Sequence, residues 1–308
     1  MTDRFKGFRQ EVVDVAGVKI HVWIAGQGEP LLLLHGYPQT HLMWHRVAPT
    51  LAKEYTVVVP DLRGYGDSDC PDTIDGHLAY SKRIVAEEQV EMMSRLGFET
   101  FFLMGHDRGA RVSHQMAVDW PDRVRRLVLL DIISTRDMYD QMNFESSQAY
   151  YHWFFLCQPS PLPEMLIGGS PEAFVRSFLS NLSERQGVFP EDVVAEYVEK
   201  FSRPDVIRAT CEDYRAGATV DLVHQAEQGA RLKVPTLVLW GAPGLKKLDV
   251  LALWRSRGDS VSGISLDGVG HYIPEEAPDA TVAAARIFFG SSERELDDTQ
   301  LKQIAAAS

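Results

Sequence analysis

Cysteine is scarce in this sequence of 308 residues, and the three that occur do not form a recognisable set. Cys70, Cys157 and Cys211 are odd in number and show neither C-x-x-C nor Cys/His metal spacing. We therefore expect no disulfide framework and no metal site, a pattern typical of proteins in a reducing compartment. None of the three stands in a motif that would make it a nucleophile.

Positive charge is also in deficit, and long apolar runs are absent. The sequence has 31 Lys and Arg against 43 Asp and Glu, a net charge of −12, which disfavours nucleic acid or an anionic membrane as a partner. No stretch of about 18 apolar residues occurs, and Met1 to Gln10 lacks the apolar segment of a signal peptide. We expect a soluble, cytoplasmic protein.

Short apolar runs bounded by turns are what the chain does contain. They predict strands that are covered on both faces, as in a parallel sheet. Two helical patterns, Arg83 to Leu96 and Arg108 to Val118, lie between such runs. Strands that alternate with helices indicate an α/β fold, a mostly parallel sheet flanked by helices. The predicted strands are 18–24, which alternates, and the apolar runs 31–34, 56–59, 101–104, 127–130 and 236–240.

The alternation of strands and helices breaks between residues 134 and 213. Aromatic residues crowd together at 150–155, among turns rich in proline and glycine. We interpret 134–213 as a helical cap inserted into an α/β core, whose two parts are then 1–133 and 214–290. The polar end, 291–308, has a faint helical period and is expected to form a surface helix or a frayed tail.

The pentapeptide GHDRG at 105–109 directly follows the apolar run 101–104. It places a carboxylate where a G-x-S-x-G elbow places a serine, on a sharp strand-to-helix turn whose glycines tolerate the strained backbone. A carboxylate attacks an sp3 carbon that bears a leaving group and forms an alkyl ester, which water then hydrolyses. We predict that Asp107 is this nucleophile, with a chance loop as the alternative for so short a motif.

Hydrolysis of such an ester needs a base that activates water, and the pKa of histidine suits this task near neutral pH. His271, which follows a glycine-rich turn late in the chain, is the candidate. A carboxylate must orient it, and two positions compete. Asp131 ends a predicted strand, where catalytic groups collect in parallel sheets, whereas Asp249 lies beside two lysines and fits a surface residue. We favour Asp131 and keep Asp249 as the alternative.

Two backbone N–H groups next to Asp107 are candidates for an oxyanion hole. The turn at 35–38 follows the predicted strand 31–34 and can direct the N–H of Tyr37 toward the nucleophile. The N–H of Arg108, the residue after the nucleophile, is the second donor. Together they would stabilise the tetrahedral species formed during ester hydrolysis.

Two arginines stand one and four residues after the nucleophile, at Arg108 and Arg111. Four residues is about one helical turn, so Arg111 lies on the same face as Asp107. Because guanidinium groups bind carboxylates bidentately, we predict that both hold a carboxylate of the substrate beside the reacting carbon. The alternative is that they are solvated or paired with acidic residues, namely Asp67, Asp69 or Asp119.

A departing halide requires N–H and O–H donors in a small, dry pocket. His152 and Trp153 supply such donors from the predicted cap, and Tyr214 supplies another from the strand expected where the chain leaves the cap. Aromatic residues in a cap also serve as ordinary core, which is the alternative for all three.

Taken together, these residues resemble the haloacetate dehalogenases of the fluoroacetate dehalogenase type, within the α/β-hydrolase superfamily. The resemblance runs from about residue 12 to residue 290, and its specific parts are the arginine-bearing elbow at 105–111 and the His-Trp pair within the Tyr-His-Trp at 151–153. Motifs shared more widely are LLLLHGYPQTH at 31–41, PDLRGYGDS at 60–68 and the glycine-rich turn into His271. The resemblance implies an α/β-hydrolase fold with an inserted helical cap.

The resemblance also implies a role for each matching residue. The implied roles are nucleophile for Asp107, base for His271, orienting acid for Asp131, carboxylate clamp for Arg108 and Arg111, and halide donors for His152, Trp153 and Tyr214. The family that this sequence resembles places its acid after the earlier of the two strands, which supports Asp131 over Asp249.

The expected reaction is hydrolysis of a short 2-haloacid, fluoroacetate or chloroacetate, to glycolate and halide, with neither cofactor nor metal. An epoxide hydrolase with the same elbow aspartate is one alternative, for which Tyr150, Tyr151 and Tyr214 would activate the ring oxygen. A noncatalytic ligand-binding receptor on this fold is another. A homodimer is kept as the expectation for assembly.

Overall fold

The computed structural model describes residues 3–73, 76–228, 231–241 and 243–308. Eight strands of this described part form one sheet: β1 Arg9–Val15, β2 Val18–Ala25, β3 Pro30–Leu34, β4 Thr56–Pro60, β5 Phe101–His106, β6 Val124–Leu130, β7 Thr236–Trp240 and β8 Val261–Ser265. Their order is β1-β2-β4-β3-β5-β6-β7-β8. Pairs β1/β2 and β2/β4 are antiparallel, and all the pairs from β4 to β8 are parallel.

Each strand predicted from the sequence occurs, and the predicted α/β fold class is confirmed. The apolar runs of β3 to β7 are almost wholly buried because helices cover both faces of the parallel sheet. Strand β1 was not predicted. It lies at the sheet edge, where Val13 and Val15 are buried but Val12 and Asp14 are exposed, so the strand has no continuous apolar run to mark it.

Helices occupy the connections between the strands and much of the remaining chain. The predicted helices 83–96 and 108–118 correspond to α2 and α3 within one residue at each end. No helix in the described ranges is long and apolar enough to cross a membrane. The helices are α1 Ala48–Leu51, α2 Lys82–Arg95, α3 Asp107–Asp119, α4 Thr135–Asp140, α5 Phe144–Ala149, α6 Tyr151–Phe155, α7 Leu162–Gly168, α8 Pro171–Leu182, α9 Glu191–Phe201, α10 Pro204–Ala218, α11 Val220–Gln228, α12 Pro243–Lys246, α13 Val250–Arg257, α14 Ile273–Glu276, α15 Pro278–Phe289 and α16 Asp298–Ala306.

Helices α4 to α11 lie between β6 and β7 and include the segment interpreted as a cap. The first of them begins at Thr135, next to the predicted cap limit. The second predicted limit, at residue 213, falls inside α10, which continues to Ala218. Tyr214 therefore lies on a helix, and its expected position on a strand was wrong. The buried apolar residues of α10 continue past the limit, with Cys211 and Ala216 on either side of it.

The C-terminal segment forms a packed helix rather than a frayed tail. Helix α16 begins with a capping box, in which Asp297 and Gln300 each accept a hydrogen bond from the other's backbone N–H. Ile304 is fully buried, and the Leu296 N–H donates to Ser262 Oγ of β8 at 2.8 Å. These contacts attach the segment to the edge of the sheet.

The glycines of the elbow permit close packing between β5, α3 and β3. A Cβ added to Gly109 would lie 2.3 Å from the carbonyl oxygen of His35, and one added to Gly105 would lie 2.4 Å from Ser113 Oγ. Real Cβ atoms do not approach other atoms this closely, so α3 rests on the end of β3 at a separation that only glycine allows.

We predict that Gly109→Ala lowers the free energy of unfolding by about 1–3 kcal/mol, because the added methyl group meets backbone atoms that must move. Denaturant unfolding measures the change. Gly168→Ala is the matched control, since Gly168 ends helix α7 and an added Cβ there has no atom within 4 Å. Its stability should stay level or rise by up to about 1 kcal/mol. Equal losses in both variants would contradict the packing argument.

Candidate active site

Four segments that follow sheet strands meet at one edge of the sheet, the edge formed by the carboxyl ends of the parallel strands. Strand β3 leads to Tyr37, β5 to Asp107, β6 to Asp131, and the loop after β8 to His271. The carboxyl ends of neighbouring parallel strands lie at the same edge, so residues far apart in sequence converge there. All four residues are buried, which places the polar groups of this edge away from bulk water.

Asp107 stands at the turn of the elbow with its backbone in the left-handed region, at φ +46°. For a residue other than glycine this conformation costs energy, and such residues cluster at functional sites. Asp107 Oδ2 accepts a hydrogen bond from the Tyr37 backbone N–H at 3.0 Å. Arg108, the other predicted donor, lies in the first turn of α3, where backbone N–H groups lack partners within the helix. One carboxylate oxygen thus lies against a predicted oxyanion-hole donor.

His271 connects Asp131 to Asp107. Its Nδ1 lies 2.6 Å from Asp131 Oδ2, and the other carboxylate oxygen of Asp131 accepts a hydrogen bond from the Gly241 N–H at 2.8 Å. His271 Nε2 lies 3.9 Å from Asp107 Oδ1. A carboxylate that engages Nδ1 fixes the ring orientation and leaves Nε2 toward the nucleophile.

Asp249, the alternative acid, lies elsewhere in the fold. Its side chain caps helix α13 by accepting a hydrogen bond from the Ala252 N–H at 3.0 Å. The structure therefore brings Asp131 to the histidine and gives Asp249 a capping contact. Asp131 also has a left-handed backbone, at φ +53°, which turns its side chain at the end of β6.

The charges around Asp107 favour its ionised form. Burial raises the pKa of the Asp107 carboxyl, but the neighbouring histidines and arginines, His271 first among them, outweigh burial and hold this pKa below its ordinary value. Burial lowers the pKa of His271, yet the hydrogen bond and charge of Asp131 prevail and raise it above its ordinary value. Asp107 is therefore a carboxylate at neutral pH, and His271 is a stronger base than free imidazole.

Arg108 is held by Asp213, a residue that the sequence analysis did not single out. Arg108 Nε donates to Asp213 Oδ2 at 2.7 Å, and Nη2 donates to Oδ1 at 2.9 Å and to the Asp213 carbonyl at 2.7 Å. Asp213 also accepts hydrogen bonds from Lys82 Nζ and from the Tyr65 hydroxyl. Arg108 Nη1 is buried and has no hydrogen-bond partner among the described residues. One nitrogen of the guanidinium group thus has no hydrogen-bond partner in this part of the chain.

Arg111 is positioned by the segment that follows β6. Its Nη1 donates to the Ile133 carbonyl at 3.0 Å and to Thr135 Oγ1 at 3.1 Å, and its Cζ lies 4.5 Å from the centre of the Trp153 ring. Its buried Nε has no partner in the described part of the chain. Burial and the nearby Arg108 charge lower the pKa of Arg111 to about 10, so it remains protonated at neutral pH.

The acidic residues considered as partners for these arginines have contacts elsewhere. Those contacts are Lys200 Nζ for Asp67, the Lys19 backbone N–H for Asp69 and Arg83 Nε for Asp119. Asp213, which does hold Arg108, had one feature in the sequence that could have drawn attention to it, namely its position next to Tyr214. Its pairing with a residue 105 positions earlier has no local pattern.

Two helices between β6 and β7 supply the three aromatic residues predicted to face the leaving group. His152 and Trp153 lie on α6, and Tyr214 lies on α10. The Tyr214 ring centre lies 5.7 Å from that of His152 and 6.1 Å from that of Trp153. Burial lowers the pKa of His152 to about 3, so its ring is neutral, and its Nδ1 has no partner in the described residues. The structure brings the three rings together.

A small cavity joins the cap to the edge of the sheet, with a volume of about 20 Å³. A single water needs about 10–15 Å³ on this measure, so the space holds about one or two water molecules. Arg108 and Tyr214 do not line it, and the Arg108 Cζ lies 4.2 Å from the Tyr214 ring centre. The predicted site residues that line the cavity are Asp107, Arg111, Asp131, His152, Trp153 and His271. A groove of about 530 Å³ between the N-terminal residues and α9 contains none of these side chains.

The family model for the alpha/beta hydrolase fold matches residues 29–278. This chain belongs to the α/β-hydrolase family. The hydrolase is similar to a fluoroacetate dehalogenase from Burkholderia sp, with 41% identity over 304 residues, 97% of this chain and 99% of that protein. It is also similar to a soluble epoxide hydrolase from Corynebacterium sp. (strain C12), with 34% identity over 278 residues, 89% of this chain and 95% of that protein.

A solved structure agrees with this assignment. A protein from Nostoc sp PCC 7120, described as an alpha/beta hydrolase, is 52% identical, has a TM-score of 0.90, and is matched over 92% of this chain and 99% of its own. The predicted membership of the α/β-hydrolase superfamily is confirmed.

We predict that Asp131→Asn lowers kcat by about 10⁴-fold, because an amide no longer holds the His271 tautomer that leaves Nε2 as the base. Asp249→Asn is the matched control and should keep its activity, since asparagine caps a helix about as well as aspartate. Steady-state kinetics give kcat for both variants, and circular dichroism checks that each is folded. Loss of turnover in the Asp249 variant with retention in the Asp131 variant would reverse the assignment.

Proposed function

We propose that this hydrolase cleaves the carbon–halogen bond of a short 2-haloacid, fluoroacetate or chloroacetate, through an ester formed on Asp107. The observation that carries the proposal is the pairing of a buried elbow carboxylate with two buried arginines, each of which has a nitrogen without a partner among the described residues. An anionic nucleophile repels an anionic substrate unless fixed positive charge offsets the repulsion. Arg108 and Arg111 supply that charge beside Asp107.

The first step is a displacement at carbon. Asp107 Oδ1, which faces His271 and the cavity, attacks the carbon next to the substrate carboxylate. The carbon–halogen bond breaks, and its electron pair leaves with the halide. The second carboxylate oxygen keeps its hydrogen bond to the Tyr37 N–H, so it becomes the carbonyl oxygen of the new ester.

The arginines would bind the substrate carboxylate during this step. Arg111 Nε and Arg108 Nη1 are the donors that the described residues leave unpartnered, and both arginines are anchored by their other nitrogens, to Ile133, Thr135 and Asp213. Anchored guanidinium groups lose little entropy when they bind, and charge-assisted hydrogen bonds are the strong ones. This arrangement supports binding of a carboxylate whose neighbouring carbon faces Asp107.

The cap would stabilise the departing halide. Neutral His152 and the indole of Trp153 line the cavity opposite the sheet edge, and Tyr214 packs beside both rings. Such N–H and O–H donors replace the water that a halide loses in a closed site. Because the cavity volume is about 20 Å³, a two-carbon acid suits it better than a longer one.

The second step releases the product. His271 takes a proton from water, and the resulting hydroxide attacks Cγ of the Asp107 ester. The negative charge that develops on Oδ2 meets the N–H groups of Tyr37 and Arg108. The bond between Cγ and the oxygen that carries the substrate carbon then breaks, the proton passes from His271 to that oxygen, and glycolate departs. Asp107 is left as a carboxylic acid that holds the oxygen from water, and its proton is released to solvent. The sum is haloacetate plus water to glycolate, halide and one proton.

Epoxide hydrolysis is the second candidate, because Tyr150 lines the cavity and an epoxide hydrolase is among the similar proteins. Burial raises the pKa of Tyr150, so its hydroxyl stays protonated and could donate to an epoxide oxygen. The other two tyrosines fit less well, since Tyr151 is 45% exposed and Tyr214 contacts Arg108. A neutral epoxide would also leave the charge of Arg111 without an anion.

The experiment that tests the proposal is incubation with fluoroacetate and chloroacetate, with released halide read by an ion-selective electrode. We expect halide and glycolate in equal amounts, and far slower release from the matching haloacetamide, which has the same size and no charge. Arg111→Ala should lose about 2–5 kcal/mol of transition-state binding for the acid and much less for the amide. A neutral epoxide serves as the comparison substrate. Epoxide turnover without halide release would reverse the order of the two candidates.

We predict that His271→Asn forms the ester on Asp107 but hydrolyses it slowly, because the variant lacks the base of the second step. Mass spectrometry after incubation with haloacetate should show one added carboxymethyl group per chain, located on the peptide that contains Asp107, together with one halide released per chain. Asp107→Ala is the control and should acquire no mass. An adduct on another residue would contradict the assigned nucleophile.

A further inference from the structure

The carboxylate of Glu276 binds the backbone on both sides of His271. The Gly270 N–H donates to Glu276 Oε2 at 2.9 Å, and the Tyr272 N–H donates to Oε1 at 3.0 Å. Glu276 ends helix α14 and is 2% exposed. One buried carboxylate thus holds the residue before the base and the residue after it.

The same carboxylate binds the segment that follows cap helix α8. The backbone N–H groups of Glu184 and Arg185 donate to Glu276 Oε2 at 2.9 and 3.1 Å, and the Arg185 side chain donates to the Glu276 carbonyl at 2.6 Å. The His271 N–H in turn donates to the carbonyl of Leu182, the last residue of α8, at 2.8 Å. The backbone of the base is therefore attached to the cap both directly and through Glu276.

Gly270 allows this close approach between the loop of the base and the cap. A Cβ added to Gly270 would lie 2.5 Å from the Glu184 nitrogen, 2.7 Å from the Leu182 carbonyl oxygen and 2.7 Å from Glu276 Oε1. A side chain at this position would push the three segments apart. The junction therefore depends on the absence of a side chain at residue 270 and on a carboxylate at residue 276.

We infer that Glu276 is a positioning residue for His271, which holds the backbone of the base against the cap through four N–H groups. The kinetic part of this inference rests on the proposed function, since it concerns hydrolysis of the ester on Asp107. A small shift of the base slows this step, because proton transfer requires close alignment with the attacking water. Formation of the ester does not use the base.

The charge of Glu276 also acts on His271. Burial lowers the pKa of His271, Asp131 and Asp107 raise it, and Glu276 adds a smaller effect in the same upward direction. Removal of this negative charge makes the imidazolium less favourable, so the pKa of His271 should fall. The titratable groups that face His271 are Asp107, Asp131, Glu276, Tyr272 and the buried, neutral His106 and His152.

Glu276→Gln tests the inference in the full-length protein. We expect halide release in the first turnover to stay close to that of the wild type, while ester hydrolysis slows by about 10- to 100-fold and the ester on Asp107 accumulates by mass spectrometry. The acid limb of the pH–rate profile for ester hydrolysis should move to lower pH. Nuclear magnetic resonance titration of the His271 ring should show the same downward change in pKa without any substrate.

Glu275→Gln is the matched control from the neighbouring position. Burial raises the pKa of Glu275 to about 8, and its carboxyl group contacts Gln39 and Tyr197. An amide of the same shape can accept from Gln39 and donate to the Tyr197 oxygen. Both kinetic steps and the pKa of His271 should match the wild type.

Two outcomes overturn the inference: an unchanged pKa of His271 in folded Glu276→Gln, or equal slowing of halide release and ester hydrolysis. If that variant does not fold, Glu276→Asp replaces it. The shorter side chain keeps the charge, so ester hydrolysis should slow while the pKa of His271 stays near the wild-type value. A wild-type protein that releases no halide would refute the proposed function, and the resonance titration would still decide the role of Glu276.

Discussion

The site depends on an ionised carboxylate that is kept away from bulk water. In the proposed reaction Asp107 must carry charge to attack carbon, and burial alone would favour its neutral form. The surrounding histidines and arginines reverse that preference. Arg108 is itself a buried cation, and the Asp213 carboxylate balances it by accepting two charge-assisted hydrogen bonds from the guanidinium group. Arg108 thus has a partner of opposite sign, which is the condition for keeping a buried charge in a protein interior, whereas Arg111 is held by the Ile133 carbonyl and the Thr135 hydroxyl.

The parallel sheet provides the geometry that this arrangement of charges requires. Strands β5 and β6 end side by side, and Asp107 and Asp131 both take left-handed backbone conformations where those strands end. Such strain persists only when the surrounding structure holds it. Here the elbow glycines let α3 rest on β3, and the Gly241 N–H holds Asp131. The carboxyl ends of the strands set the distances, and residues of helices α4, α6 and α8 line the cavity beside them.

The nucleophile does not separate the two candidate reactions, since an elbow aspartate serves both. The groups around it do. Arg108 and Arg111 each have a nitrogen that the described residues leave without a partner, and such nitrogens would bind an anion. Neutral His152 and Trp153 would donate hydrogen bonds to a halide, whereas the Tyr150 hydroxyl would suit an epoxide. A cavity of about 20 Å³ adds a limit of size. The proposed substrate class thus rests on the charge contributed by α3 and on the donors contributed by α6.

Local patterns in the sequence determined the central strands, helices α2 and α3, and the elbow, because apolar runs and glycine spacing report directly on neighbouring backbone. They also supplied the candidates for base, clamp and halide donors. The position of Asp131 at the end of a predicted strand favoured it over Asp249, but only the tertiary structure decided which acid meets His271, since Asp131 lies 140 residues before the histidine. It also decided that Asp213 holds Arg108 and that Tyr214 lies on a helix. Partner choice between distant residues depends on distances in three dimensions, which no local pattern encodes.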